Sequence, residues 1–486
     1  MYATAESRTW TFLKMVAVKE NVTTLNFVAY ILASGLSICM FVFLSSTQGF
    51  VLNQILHINL DTIGNISGNL TLFDECISLI LVYLWGILSD RWGRHYIYGA
   101  GFLVMGVGLV IYPFASKLTP DLILYRAIFA VGAAATSSML TAVLADYSSE
   151  KDRSKISGIV GLMSGVGALL AVFIFLPMPT KYSDQVKGLK STYGIVASVS
   201  ALFGLFLLFA LRPKRHVDEN SAVLITSDEC THPPSKKISI FDGLKAGFAA
   251  ARDGKVFLGY LGAFLARGNS IIITIYFPLW VYKYYVDQKI CEKADGSSPT
   301  IKTDCHEAYI KASILSGIAQ TAALVVAPLF GWLGDRLYRP IVVFLATVLG
   351  FVSYGWMFFC TNPTDKILFV VVILVGIGEM AIVVSSLSVV TSKAIPSHLR
   401  GSISGAYSFA GTIGIMVASK LGGYLFDVWT PTAPFFIMAA GNLIAIFVAA
   451  GVVWTDLRDV ETSYGMSKHP ALMRMQREQD ELQLGL

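Results

Sequence analysis

Ionisable side chains are scarce inside the long apolar stretches of this 486-residue chain. A charge held at mid-membrane costs about 2.5 kcal/mol or more, so it normally faces a cavity or a partner. Arg267 lies about a dozen residues into one stretch, where a guanidinium can grip a carboxylate or phosphate or pair with a titrating acid. Glu379 lies near the middle of another and is the candidate proton carrier, or else the salt-bridge partner of Arg267. Burial and a nearby arginine pull a carboxyl in opposite directions, and that tension is what a proton switch works on.

Asp74 and Glu75 enter a third stretch from one end and read as a cavity mouth, a protonation site or simply solvated interfacial charge. Gln320, 245 residues beyond Glu75, offers a neutral hydrogen-bonding group to the same cavity. Arg126 stands where it can pair with Asp74 or Glu75, although a long arginine can also snorkel to the interface. Asn269 beside Arg267, and Ser34, the neutral counterpart of Arg267 in the repeat described below, complete the substrate and proton candidates. Aromatics such as Tyr276, Phe277, Trp280, Trp356 and Tyr407 line a pocket or anchor the interface. The chain has no His-Glu-x-x-His site, no Gly-x-Ser-x-Gly elbow and no Gly-x-x-x-x-Gly-Lys-Ser/Thr loop. Neither an enzyme nor an ATP-driven pump is expected, and no cofactor or metal is implied.

The elements that must hold these residues follow from composition. Hydrophobic residues make up 55% and charged residues 14%, well under the roughly 25% charged residues of soluble domains. About twelve apolar runs reach the ~20 residues a membrane span needs, near 26–50, 71–89, 97–116, 121–146, 156–177, 192–212, 256–284, 308–333, 340–360, 366–391, 403–426 and 433–454. In lipid every backbone amide must be paired within its own segment, so the runs are helices. Gly86-Ile-Leu-Ser-Asp90-Arg91-Trp-Gly-Arg94 recurs 245 residues on as Gly331-Trp-Leu-Gly-Asp335-Arg336-Leu-Tyr-Arg339. Arg153 to Gly158 with Gly167 answers Arg400 to Gly405 with Gly414, and Leu32 to Ile38 answers Leu265 to Ile271. The expected fold is an all-α membrane protein of twelve transmembrane helices in two pseudo-symmetric six-helix bundles. Its parts are an N-terminal segment 1–25, bundles 26–212 and 256–454, a polar linker 213–255 with a short amphipathic helix around Ile238 to Ala251, and a tail 455–486.

Threading twelve spans gathers Arg91, Arg94, Lys151, Arg153, Lys155, Lys214, Arg215, Arg336, Arg339 and Arg400 on one side, which puts both termini in the cytosol. The net charge of +5 then reflects membrane anchoring and needs no nucleic-acid partner. Asn65-Ile-Ser67 and Asn69-Leu-Thr71 are expected as glycosylation acceptors in the first outer loop. Cys291 and Cys305 share the fourth outer loop and are the disulfide candidates. Both signals favour a plasma membrane or an endolysosomal or vacuolar membrane.

Across nearly its whole length the sequence resembles the major facilitator superfamily. Gly86 to Arg94 looks like that family's signature between the second and third spans, and Gly331 to Arg339 like its weaker counterpart between the eighth and ninth. Arg126 with Gly132 is similar to the family's second motif, a resemblance that implies a part in proton coupling. The glycines of the fifth span lack the antiporter pairs and Leu211 to Arg215 lacks the sugar-carrier pattern, so no subgroup is assigned. The resemblance implies a secondary carrier of a small organic solute, proton-coupled, acting as a monomer, with a lean toward an anionic substrate from Arg267. A proton-independent exchanger, or a sensor or partner-binding subunit on the same fold, is the alternative. Asp90 is expected to hold the start of the eleventh span, near Ser402, when the carrier faces outward, through the partial positive charge of a helix N-terminus. Asp335 would do the same near Ser157, while Arg91, Arg94, Arg336 and Arg339 would meet neighbouring carboxylates or lipid phosphate.

Overall fold

The computed structural model describes residues 9–12, 16–19, 22–147, 153–182, 185–212, 245, 247–288, 306–390 and 400–467. A short antiparallel hairpin comes first, β1 (Thr9–Phe12) paired with β2 (Val16–Lys19); its residues lie in a segment for which the sequence suggested no element. Helices follow, six in the first half: α1 (Thr24–Ile55), α2 (Ile63–Trp92), α3 (Arg94–Phe114), α4 (Ile123–Tyr147), α5 (Arg153–Leu170) and α6 (Gln185–Ala210). The second half repeats them as α7 (Gly254–Asp287), α8 (His306–Arg336), α9 (Arg339–Phe359), α10 (Ile367–Val390), α11 (Arg400–Val428) and α12 (Ala433–Ser467). Among the described residues eleven helices are long and apolar enough to cross a membrane. The two arms of α2, Ile63–Val82 and Leu84–Trp92, meet at 41° and make a twelfth span if taken together. Of the expected linker helix only its end is described, helical at 247–249 and a 3-10 turn at Ala250–Arg252.

Local chemistry sets the ends. Thr23 and Asn26 form a reciprocal cap at the start of α1, each side chain accepting the other's backbone N–H at 3.1 Å, which satisfies two otherwise orphan donors. Asn26 also donates to the Arg212 carbonyl at 3.0 Å and ties the start of α1 to the end of α6. Asp253 caps α7 by accepting from the Lys255 amide at 2.8 Å. The α2 to α3 turn passes through Gly93 at φ +103°, a conformation that excludes most side chains. The paired glycines of the internal repeat behave alike: a Cβ at Gly167 would strike the Gly35 carbonyl on α1, and one at Gly414 the Phe264 carbonyl on α7. Each half therefore brings two backbones together at a matched place. The halves meet along α2 with α11 and α5 with α8. Large apolar side chains such as Leu202, Phe209, Val325, Phe359 and Phe447 remain exposed on the outer surface, the surface that lipid would cover.

Both α1 and α7 change pitch along their length, α1 at its end and α7 near its middle. Val51–Ile55 and Ile272–Tyr276 are π turns in the first helix of each half, and a third, Ala171–Phe175, extends α5. Single π turns are frequent at functional sites.

Candidate functional site

The two halves are latched at one face, the one that carries residues 56–62 and 429–432. There α2 and α11 run antiparallel and almost touch. A Cβ at Gly68 would collide with the carbonyl of Ser419, and one at Gly423 with the carbonyl of Gly64. Tyr276 of α7 reaches the same seam and donates its hydroxyl to the Ser419 carbonyl. The Asp427 carboxylate, at the end of α11, accepts the first free amides of α2, from Gly64 at 3.1 Å and from Asn65 at 2.7 Å. Lys283 pairs with Asp61 at 2.7 Å, and Ser46 of α1 donates to the Thr274 carbonyl of α7 at 3.3 Å. Apart from the Tyr276–Ser419 bond, which lies within the second half, these contacts cross from one half to the other, and none lies near the Gly93 and Tyr338 turns at the far face.

Asp427→Ala removes an anion from a helix N-terminus together with two hydrogen bonds. An acidic cap is worth about 0.5–2 kcal/mol, so the balance between latched and unlatched protein is expected to shift roughly 2- to 30-fold. Distance distributions between labels at His57 and Asn362 would read this, and a distribution identical to wild type would remove Asp427 from the latch.

The latch corrects one expectation. Asn65 and Asn69 are not in an outer loop but in the first turns of α2, against α11, where Lys420 Nζ donates to the side-chain carbonyls at 3.4 and 2.6 Å. These polar residues serve the seam between the halves. Cys291 and Cys305 lie outside the described residues.

With the halves latched, Asp90 has no bond to the start of α11 among the described residues, the contact expected of it in the opposite, outward-facing state. It pairs with Arg94 at 2.8 Å, and Arg94 also binds Asp146 at 2.9 Å and the Ser89 hydroxyl, so the signature ties α2, α3 and α4 together within one half. Gly86 has room beside Ser138, and Arg91 is exposed. In the second copy Arg339 donates to the Ser388 carbonyl at 2.6 Å, and Arg336 lies over the Trp332 ring, 4.9 Å from its centroid. The side chain of Asp335 is outside the described residues.

In the interior, Arg126 meets Asp74 at 2.7 Å with its guanidinium 2% exposed. It also donates to the Tyr112 hydroxyl at 3.3 Å; Tyr112 stacks on Tyr193 with centroids 5.6 Å apart, and Tyr193 shares a 2.7 Å bond with Thr47. This network joins α1, α2, α3, α4 and α6, and only its Asp74–Arg126 link had a signal in the sequence. Glu379 is buried on α10, accepts the Ser270 hydroxyl at 2.8 Å, and has its second oxygen without a partner. The Ser270 carbonyl accepts from Thr274 at 2.7 Å, and Thr274 in turn accepts from Ser46. One chain of hydrogen bonds thus runs from Glu379 through the π turn of α7 to the first half.

Arg267 is not the partner of Glu379. It is exposed, packs its stem against Gly411 of α11, makes no hydrogen bond or ion pair among the described residues, and acts electrostatically on Glu75 and Tyr407. Asn269 is fully buried with both polar atoms unpartnered. Gln320 is half-buried. Ser34 is taken up by the carbonyls of Ile31 at 2.6 Å and Val160 at 3.5 Å and faces α5. Tyr407 bonds Ser386 at 3.0 Å, whereas Trp356 sits on the outer surface of α9.

Two six-helix halves, each with charge buried in its interior, and latched to each other at one face make up the fold of a membrane transporter. The chain belongs to the Major Facilitator Superfamily, whose sequence profile matches residues 27–291 and 294–475. It is similar to magnetosome protein MamH of Paramagnetospirillum magneticum, 26% identical over 438 residues, which cover 89% of this chain and 93% of that protein. Among solved structures it resembles the nucleoside transporter NupG, with a TM-score of 0.61 at 15% identity over 89% of this chain and 99% of that one. It also resembles a D-xylose-proton symporter, with a TM-score of 0.57 at 16% identity over 87% of this chain and 96% of that one.

Proposed function

We propose that this protein is a secondary carrier that moves a small organic solute by alternating access and couples the movement to protons. The latched face is then the outer one, and the face of Gly93 and Tyr338, rich in Lys and Arg, is cytosolic. The halves, residues 26–212 and 256–454, rock about a midplane site. Arg267 binds an anionic group of the solute and Glu379 carries the proton. The observation that carries this reading is Arg267 itself: a mid-span guanidinium without a bonded partner among the described residues has no structural pair to satisfy it and is open to a ligand. Supporting Glu379 as the carrier are its burial, its unpartnered oxygen and the absence of any cation bonded to it among the described residues. The bond to Ser270 and the chain on to Ser46 then give proton occupancy a route to the outer latch. The signature pair Asp90 and Arg94 holds its own half in this state, and Asp90 is freed to meet the start of α11 when the cytosolic face closes.

The test is solute-driven proton movement in proteoliposomes with a pH-sensitive dye, across organic anions, sugars, amino acids and cations. Wild type is expected to move protons with one solute class. Glu379→Gln is expected to abolish proton movement and gradient-driven uptake while retaining solute exchange at equal concentrations on the two sides. Solute flux without protons in the wild type would make the protein a uniporter or exchanger and retire Glu379; no flux with any class would overturn the carrier reading.

A further inference from the structure

We propose that the site takes a zwitterionic solute, its carboxylate on Arg267 and its ammonium group on Glu75 of the opposite half. This deepens the carrier reading and rests on it.

Two observations place Glu75 there. The α2–α11 seam has a register: Gly64 lies against Gly423, and Gly68, one turn on, against Ser419, one turn back. Positions 64, 68 and 75 share one helix face, as do 423, 419 and 412. Continued inward, the register brings Glu75 opposite Gly411 and Thr412, and Gly411 is the residue against which the Arg267 stem packs. The second observation is that both charges are unpaired: Arg267 and Glu75 make no ion pair and no hydrogen bond among the described residues. The other opposite charges near them are closed into pairs, Asp74 on Arg126 at 2.7 Å within the spans and Asp61 on Lys283 at 2.7 Å at the latched face. Arg267 and Glu75 are opposite charges on the two halves, brought to the same depth by the seam register and left unpaired.

That arrangement selects by charge. A plain anion satisfies Arg267 but meets Glu75 as a like charge, and a plain cation meets Arg267 in the same way. A solute carrying both groups neutralises both ends in a medium where an unpaired charge is costly. It also bridges the halves, since Glu75 rides on α2 and Arg267 on α7. A bound zwitterion therefore draws the halves together, whereas an anion held by Arg267 alone engages one half only.

The experiment measures binding to the purified full-length protein in lipid nanodiscs, using triplets that share one skeleton: leucine, 4-methylpentanoate and leucinamide; phenylalanine, 3-phenylpropanoate and phenylalaninamide; and the corresponding glutamine set. In at least one triplet the zwitterion is expected to bind tenfold or more tighter than both companions. Glu75→Gln is expected to erase the preference over the plain carboxylate by weakening the first and strengthening the second, a double change that loss of structure does not produce. Arg267→Gln is expected to do the reverse and favour the amide, and it stands as the second variant should Glu75→Gln fail to fold. A plain carboxylate bound as tightly as its amino acid, and unaffected by Glu75→Gln, would overturn the zwitterion proposal and leave the carrier reading standing. No preference for the zwitterion in any triplet overturns it as well, and no transport of any solute class would remove the carrier reading beneath it.

Discussion

Gly68→Val is expected to reduce transport by about 10- to 100-fold and to hold the protein with its latched face open. A Cβ at Gly68 meets the carbonyl of Ser419 and comes within 2.8 Å of the Tyr276 hydroxyl. The Ser419 group is main chain inside a packed helix and cannot rotate away as a side chain could. Overpacking of this kind costs about 1–3 kcal/mol, and each 1.4 kcal/mol shifts a two-state balance about tenfold. The cost falls only on the state in which α2 and α11 touch, so the variant folds but does not close. Labelling of a cysteine at Ser46, buried in this state, is expected to rise in parallel. Gly158→Val serves as the control, because a Cβ there meets nothing within 4 Å. Normal transport by Gly68→Val with Ser46 still protected would show that the seam does not have to close.

Asp74→Ala is expected to be the most destabilising single change, by about 3–5 kcal/mol, because it leaves the Arg126 charge buried and unpaired. Arg126 is 1% exposed and is the largest fully buried side chain among the described residues, so the guanidinium has no route to water. The repeat points to the remedy. Ala319 and Val371 stand 245 residues beyond Asp74 and Arg126, both buried, so the second half fills the equivalent place without charge. Asp74→Leu combined with Arg126→Met is accordingly expected to recover most of the lost stability, since apolar replacements of a buried pair are often neutral or better. Thermal unfolding in detergent reads both steps. A double variant that is stable but transports nothing would assign the pair to the transport cycle; one that is stable and active would assign it to folding alone.

Depth in the membrane was legible in the sequence, and direction around each helix was not. Arg267 and Glu379 were both placed near mid-span from their distance to the ends of apolar runs. Which neighbour each faces depends on 100° steps of the helix and on packing, so the sequence leaves Glu379 open as proton carrier or as partner of Arg267, and the bond it makes is to Ser270. Arg126 pairs with Asp74, one of the two acids the sequence places near it, because each stands close to the same end of its span and few partners are available at that depth. The first two turns of α2 read as loop in the sequence because Asn65, Ser67 and Asn69 are polar; Asn65 and Asn69 are polar because they face α11, and Ser67 because it faces α1 and α7, and none of them faces lipid. The same holds for Asp427 and Gly64, whose contact spans 363 residues and leaves no local trace. The glycines at 167 and 414 gave a true signal because close approach of backbones demands them whatever the partner helix is.

The seal between α2 and α11 is built largely from main chain: the amides of Gly64 and Asn65, the carbonyls of Gly64 and Ser419, and bare glycine at 64, 68 and 423. Long side chains lose rotamer freedom when they interlock, and that loss opposes each closure. Glycine has none to lose, so this surface shuts without freezing anything new. It also cannot adapt piece by piece, because rigid backbones fit in one register or not at all. Such a joint behaves as a detent and not as a zipper: it snaps between two positions, and how often it does so is left to the charges beneath it.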